Sequence, residues 1–365
     1  MAAAQDMMEV PGSGLVNGPL AGEAQSLTGA GATFPLPLYT AWFADYAELT
    51  GVQINYQGIG SSGGIRSITD KTVDFGGSDG PMKQEQLDAA AAPESCGATV
   101  LHIPTALGGV VVTYNIPELV DNNEPLKFTP DTLAGIFLGE ITKWNDEALV
   151  ADNPALADVD QYIAVVHRAD GSGTTNIFTA YLAAVSETWA SEVGAGTSVD
   201  WPTGIGQKGN PGIAAAVAGV PYALGYVELA YAEQNGLPES FLQNKAGEFV
   251  QANVNSVSLA AAGVELPDDL RVMIVNGDGA ETYPIAGFTW LLVCENQTDP
   301  AIATALTRAV WWGIHDGQSY HADLGYSPLP EAAIMAGERQ LLKVMVNGEP
   351  ALPADLVAFA EENNQ

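Results

Sequence analysis

Two hydrophobic periods alternate along this chain. In VQINYQ, Val52, Ile54 and Tyr56 recur at every second residue, which puts them on one face of a strand. Tyr162 to Val166 (YIAVV) is apolar on both faces, as a strand covered on both sides would be, and GGVVVTYN, ALGYVELAY and FTWLLVC have the same character. Between these runs the period becomes helical. In PLPLYTAWFADYAELTG, Leu38, Trp42, Tyr46 and Leu49 share a face and Gly51 follows as a stop. In TTNIFTAYLAAVSE, Ile177, Phe178, Tyr181, Leu182 and Val185 do the same, and both stripes read as core. Strands alternating with helices predict α/β layers, and no repeat of solenoid length interrupts them.

Composition narrows the class. With 365 residues the chain exceeds the size at which single cores stop growing, so two domains are expected, and 47% hydrophobic residues can fill them. There are 44 acidic and 12 basic side chains, a formal net charge of −32 at pH 7. So few cations cannot neutralise a run of phosphates, which excludes nucleic acid as a partner and disfavours an anionic bilayer surface. The acids are scattered, as on a solvated surface. No run of 18 apolar residues exists to span a membrane. Residues 1–25 have neither the basic nor the continuous apolar region of an intact signal peptide, and their Gly, Pro and acid content predicts a flexible leader. Cys96 and Cys294 lack any CxxC partner; a single disulfide and two buried thiols both remain open. His102, His167, His315 and His321 do not cluster with carboxylates, so no metal site is expected.

The candidate chemistry lies in three Gly/Ser/Thr-rich loops, each leading into a predicted helix: GAGATFP (Gly29–Pro35), GIGSSGG (Gly58–Gly64) and RADGSGTT (Arg168–Thr175). A helix start leaves backbone N–H groups unpaired and carries a partial positive charge, so it suits an anion. Glycine admits a ligand to the backbone, and Ser or Thr adds a hydroxyl donor. One such loop is weak grounds, since Ser and Thr are ordinary N-caps; three, one of them carrying an arginine, are stronger. Competing readings exist. GIGSSG matches the G-x-G-x-x-G dinucleotide fingerprint with Asp79 near the ribose-binding offset, but Asp79 is read here in a turn, GGSDGPM, rather than ending a strand. DGSGT is not a G-x-S-x-G elbow, and no His–acid pair is evidently set to activate Ser172.

LTGAGATFP, NYQGIGSSGG, VDFGGSDGP and RADGSGTT, in this order and spacing, resemble the phosphate-binding proteins of bacterial phosphate-specific ABC transporters. The likeness continues through LAGIFLGEITKWND, WPTGIGQKGNPGIAAAV and ALGYVELAYA, covers roughly Ser26 to Pro330, and weakens beyond. It implies an α/β two-lobed periplasmic binding fold of the type II-like kind, with a ligand cleft between lobes and a hinge crossed twice. One lobe would hold 26–113 and 285–365, the other 114–284.

The resemblance also implies a site. Thr33 and Phe34 would offer a hydroxyl and a backbone N–H, Ser61 a hydroxyl and an N–H, and Asp79 an acceptor. Arg168, held by Asp170, would supply the only formal positive charge, and Ser172, Gly173 and Thr174 would complete the donors. Phosphate near neutral pH keeps a proton that Asp79 can accept, whereas sulfate would meet the carboxylate as an unpaired like charge. The expectation is thus an extracytoplasmic, monomeric, non-catalytic receptor for inorganic phosphate, without cofactor, that docks on the permease subunits of an ABC transporter. Receptors for sulfate or molybdate, a phosphatase or nucleotide-dependent enzyme, and a scavenger that does not deliver its ligand are the alternatives.

Overall fold

The computed structural model describes residues 10–119 and 125–364, and one long strand organises it. Eight strands form a mixed sheet: β1 Ser26–Gly31, β2 Gln53–Gly58, β3 Phe75–Ser78, β4 Val100–Asn115, β5 Ala164–Arg168, β6 Ile205–Gln207, β7 Ala223–Glu228 and β8 Ala286–Cys294. Their order is β2-β1-β3-β8-β4-β7-β5-β6. Strand β4 is buried over all but its last residue. Its first part, Val100 to Gly109, runs antiparallel to β8, and from Val110 to Asn115 it runs antiparallel to β7. Parallel strands flank each half: β2-β1-β3 beside β8, and β7-β5-β6 beside β4. The chain leaves the first half along β4 and re-enters it at β8, where the Val110 N–H donates to the Ile285 carbonyl at 2.8 Å. Two α/β lobes result, joined by two crossings.

Helices α1 Leu36–Thr50, α2 Ser61–Thr69, α3 Gly173–Val185 and α4 Gly209–Gly219 each follow a strand of the sheet by a short loop. Helices α5 Pro300–Ile314, α6 Glu331–Leu341 and α7 Ala354–Asn363 close the chain. No helix among the described residues is long and apolar enough to cross a membrane.

Three local readings shift in place. Leu38, Trp42 and Tyr46 are buried as expected, but Leu49 is 38% exposed. Thr50 turns inward instead, its hydroxyl donating to the Tyr46 carbonyl at 2.8 Å, and Gly51 stops the helix at φ 82°. Tyr162 is 71% exposed beneath the Lys143 ammonium, because the covered strand begins two residues later at Ala164. The GGSDG segment is a strand over Phe75–Ser78, and Asp79 follows it directly.

The termini differ more. Residues 10–25 are not the expected flexible leader; residues 1–9 of that segment lie outside the described residues. Val16 is buried in the core, the Ala24 N–H donates to the Ala301 carbonyl at 2.9 Å, and Glu23 forms a buried ion pair with Arg308 of α5. The same guanidinium donates to the Gly18 carbonyl at 2.7 Å. The weakly matching segment after Pro330 packs behind α5. There His315 bridges the Trp311 carbonyl (2.7 Å) and the Glu338 carboxylate (3.0 Å), and Asn364 donates to Glu338 at 2.7 Å. Cys96 and Cys294 are disulfide-bonded across 198 residues of chain, tying the loop after the Gln84–Ala90 helix to the end of β8.

Because Arg308 is buried and Glu23 is its ion-pair partner, Glu23→Ala should strand a buried charge. A loss of roughly 3–5 kcal/mol of unfolding free energy is expected in urea titration; a loss below about 1 kcal/mol would show that the N-terminal segment is only draped on α5.

Candidate anion-binding site

The starts of α1, α2, α3 and α4 converge between the lobes. Thr33 and Phe34 precede α1, Ser61 opens α2, Ser172 caps α3 and Gly173 opens it, and Gly209 opens α4. Each loop is short because a parallel strand delivers the chain directly to a helix start. Two glycines make the close approach sterically feasible. A Cβ on Gly173 would lie 2.5 Å from both Asp79 Oδ2 and Ser61 Oγ. Gly60 has φ 87°, and a Cβ there would lie 2.5 Å from Asp170 Oδ2 in the opposite lobe.

Two groups of the predicted residues are drawn together. In the first, Ser61 Oγ accepts from the Asp79 N–H (3.2 Å) and, across the cleft, from the Gly173 N–H (3.0 Å), and it donates to Asp79 Oδ2 at 3.5 Å. Asp79 Oδ1 accepts from the Thr289 hydroxyl of β8 at 2.8 Å. In the second, Arg168 grips Asp170 through Nε (2.8 Å) and Nη2 (2.6 Å), a bidentate pair, while Nη1 reaches Thr174 Oγ1 at 3.4 Å. Ser172 Oγ accepts from the Thr175 N–H at 3.0 Å, an N-cap. Phe34 packs its buried ring against Gly108, and its carbonyl accepts from the Tyr326 hydroxyl at 2.6 Å. Thr33, Phe34, Ser61, Asp79, Arg168, Ser172, Gly173 and Thr174 are all buried; Asp170 is partly so.

The lobes touch directly around these groups. The Ser62 N–H donates to the Gly171 carbonyl at 3.0 Å, and the Tyr231 hydroxyl donates to the Thr33 carbonyl at 2.6 Å. Thr33 Oγ1 accepts twice from Asn210 at the start of α4, from its N–H (3.1 Å) and its Nδ2 (3.0 Å).

Electrostatics separates the two acids. Burial pushes the Asp79 carboxyl up to about 7, although the Thr289 hydroxyl, the Arg168 charge, the Ser61 hydroxyl and the Thr174 N–H all pull it down. Burial also raises Asp170, but Arg168, by hydrogen bond and charge, and the Gly209 N–H outweigh it and hold that carboxyl below its usual range. The charge of the arginine is thus balanced by its own partner, and most remaining donors are uncharged.

Sequence reasoning missed three residues here. Asn210 lies inside the QKGNPG run, to which no role was assigned; a Gly-Asn-Pro start to a helix was the available signal. Glu228 ends β7, fully buried, with burial pushing its carboxyl well up. The Tyr326 hydroxyl faces two acceptors, the Phe34 carbonyl at 2.6 Å and Glu228 Oε2 at 3.2 Å. Nothing in a lone Glu or Tyr could have placed them. The dinucleotide reading fails on topology. Asp79 does follow a strand, but β1 lies between that strand and the glycine-bearing β2, whereas a fingerprint needs them adjacent. Among the described residues no group of three or more His, Cys, Asp or Glu side chains is placed to hold a metal ion.

This two-lobed architecture, with helix starts facing one another across a cleft, is that of the periplasmic binding proteins. The sequence model of the PBP superfamily domain matches residues 18–310. The phosphate-binding protein PstS of Pasteurella multocida is 42% identical over 320 residues, 87% of this chain and 90% of its own. The phosphate-binding protein PstS of Methanocaldococcus jannaschii is 40% identical over 329 residues, 84% and 83% of the two chains. A high-affinity periplasmic phosphate-binding protein solved with phosphate superposes with a TM-score of 0.71 at 20% identity, covering 89% of this chain and 96% of that one. The chain belongs to the PstS family of phosphate-binding proteins.

The raised Asp79 carboxyl binds more protons folded than unfolded between its ordinary value near 4 and about 7. Stability of the ligand-free protein should therefore fall as pH rises through that window, by up to on the order of 4 kcal/mol from this group. Asp79→Asn should flatten the slope and stabilise the protein at pH 8; Glu228 and Glu239, raised by burial as well, leave the remainder. Melting curves from pH 4 to 8 check this, and an unchanged slope would place Asp79 in contact with solvent.

Proposed function

We propose that this chain binds inorganic phosphate between its lobes, outside the cytoplasm, and hands it to the permease subunits of an ABC transporter. The observation that carries the reading is a buried acid, Asp79, set among donors from both lobes. A site for any anion needs donors. A carboxylate within it suits an anion that still carries a proton of its own. Family membership supports the same ligand.

In this reading the Thr33 hydroxyl, the Phe34 N–H and the Ser61 hydroxyl and N–H donate from one lobe. Arg168 and the groups of Ser172, Gly173 and Thr174 donate from the other. Asp170 holds the guanidinium in plane, and Asp79 accepts the proton of the ligand. The Ser61–Gly173 contact would be exchanged for contacts to the anion. Charged hydrogen bonds contribute roughly 1.5–3 kcal/mol each, and micromolar binding requires only about 8 kcal/mol. Desolvating the anion and ordering the closed cleft consume most of the gross gain. We place the lobes at 26–113 with 285–365, and at 114–284, in line with the change of partner along β4. The protein works as a monomer, without cofactor and without catalysis: no group in the cleft activates Ser172, whose hydroxyl caps its own helix. The Cys96–Cys294 disulfide supports an oxidising, extracytoplasmic setting.

Calorimetry with phosphate and sulfate at pH 8 tests the assignment. Wild type should prefer phosphate strongly, and Asp79→Asn should reduce that preference at least tenfold, about 1.4 kcal/mol. Lowering the pH below 7 should narrow the wild-type preference as Asp79 takes up a proton. Equal affinity for the two anions in wild type would overturn the reading.

A further inference from the structure

Asn210 is fully buried where three of the four loops meet, and both amide hydrogens and the amide oxygen are engaged. Its Oδ1 accepts from the Glu228 N–H at 3.1 Å, which fixes which end of the amide is oxygen. Its Nδ2 then carries two hydrogens, one to Thr33 Oγ1 at 3.0 Å in one lobe and one to Thr174 Oγ1 at 3.2 Å in the other. Its own N–H adds a second donor to Thr33 Oγ1 at 3.1 Å.

A threonine hydroxyl has two acceptor lone pairs and one hydrogen. On Thr33 Oγ1 both lone pairs face N–H donors from Asn210. On Thr174 Oγ1 they face Asn210 Nδ2 and Arg168 Nη1. Neither hydroxyl has a lone pair left for anything in the cleft; each can offer only its hydrogen. Gly209 makes the geometry available. Its φ of 70° splits consecutive N–H groups, so that its own donates to Asp170 Oδ1 at 3.0 Å and the next one to Thr33.

We infer that Asn210 is a positioning residue of the anion site, which sets the Thr33 and Thr174 hydroxyls as obligate hydrogen-bond donors. It acts through them, on the polarity of the site, and not by touching the ligand. The inference rests on the phosphate-binding reading and deepens it. A hydroxyl left free to rotate would present a lone pair to an oxyanion part of the time; one saturated by amide donors does not.

The test is phosphate affinity by calorimetry at pH 8 in a double-mutant cycle. Asn210→Ala should weaken phosphate binding at least tenfold in the wild-type background. In a Thr33→Val, Thr174→Val variant, which has no hydroxyls to orient, the same substitution should cost less than threefold. Asn210→Asp keeps the shape and the acceptor for the Glu228 N–H but replaces the Nδ2 donors with an oxygen. It should lower affinity further than Asn210→Ala while the circular dichroism stays that of wild type, and it carries the test if the alanine variant does not fold. Wild-type affinity in Asn210→Ala or Asn210→Asp would overturn the inference, as would an equal cost in both backgrounds, which would show that Asn210 does not act through the two hydroxyls. Wild type that fails to bind phosphate would sink the functional reading itself, a distinct result.

Discussion

The carboxylate of Asp79 sits in a place from which water is excluded, and much of the cleft is arranged around that fact. A buried carboxyl is tolerated here because Thr289, Ser61 and the Thr174 N–H all turn donors toward it, while the guanidinium of Arg168 sits across the cleft. These partners come from β8, α2, α3 and β5, so satisfying one acid obliges both lobes to meet. The glycines at 60 and 173 follow from the same demand, since any side chain there would hold the lobes apart. Strand β4 provides the other half of the constraint. By pairing with β8 and then with β7, it makes one strand the spine of both lobes, so a hinge at that point leaves either half of the sheet intact.

Much of this was legible in the sequence, for a physical reason. Loops that bind anions at helix starts need glycine, a hydroxyl residue and a strand just upstream, and these leave local signatures. Ser61, Arg168 and the Ser172–Thr174 run announced themselves in that way. Burial periodicity likewise located α1, α3 and β5, apart from Leu49 and Tyr162. There the failure is instructive. Periodicity reports which face of an element is apolar, but not where the covering layer ends, as at Tyr162, nor which residue the last turn of a helix points inward, as at Leu49 and Thr50. Glu228 and Tyr326 were illegible because their roles arise from contacts 98 residues apart that no local pattern encodes. The Glu23–Arg308 pair, 285 residues apart, was hidden for the same reason, behind a Gly- and Pro-rich segment whose composition suggested no fixed structure.

The termini show how a large excess of acid coexists with a packed interior. Of the few cations in the chain, Arg308 and Arg168 are spent inside, each against one carboxylate. At the C-terminal end, Glu338 is buried with no Lys or Arg against it and is satisfied instead by His315, Asn363 and Asn364. Scarce cations are thus placed where burial makes an unpaired charge most costly, and amides serve elsewhere. The surface, rich in unpaired acids, is left to solvation.

That division also explains how a protein of net charge −32 can hold an anion. Coulombic repulsion from surface acids is screened over about 8 Å at physiological salt. Within the cleft the field is set by what is near: helix starts, peptide N–H groups, hydroxyls and one guanidinium whose charge is shared with Asp170. A site with more formal positive charge would bind any small dianion. One built from neutral donors and a single acceptor, as proposed for this cleft, gains its selectivity from matching hydrogens to lone pairs, one by one. Such matching works only if each hydroxyl is committed to one polarity, so side chains that touch no ligand must do the committing. On the reading proposed for Asn210, specificity in this cleft resides as much in the layer behind the binding groups as in the groups themselves.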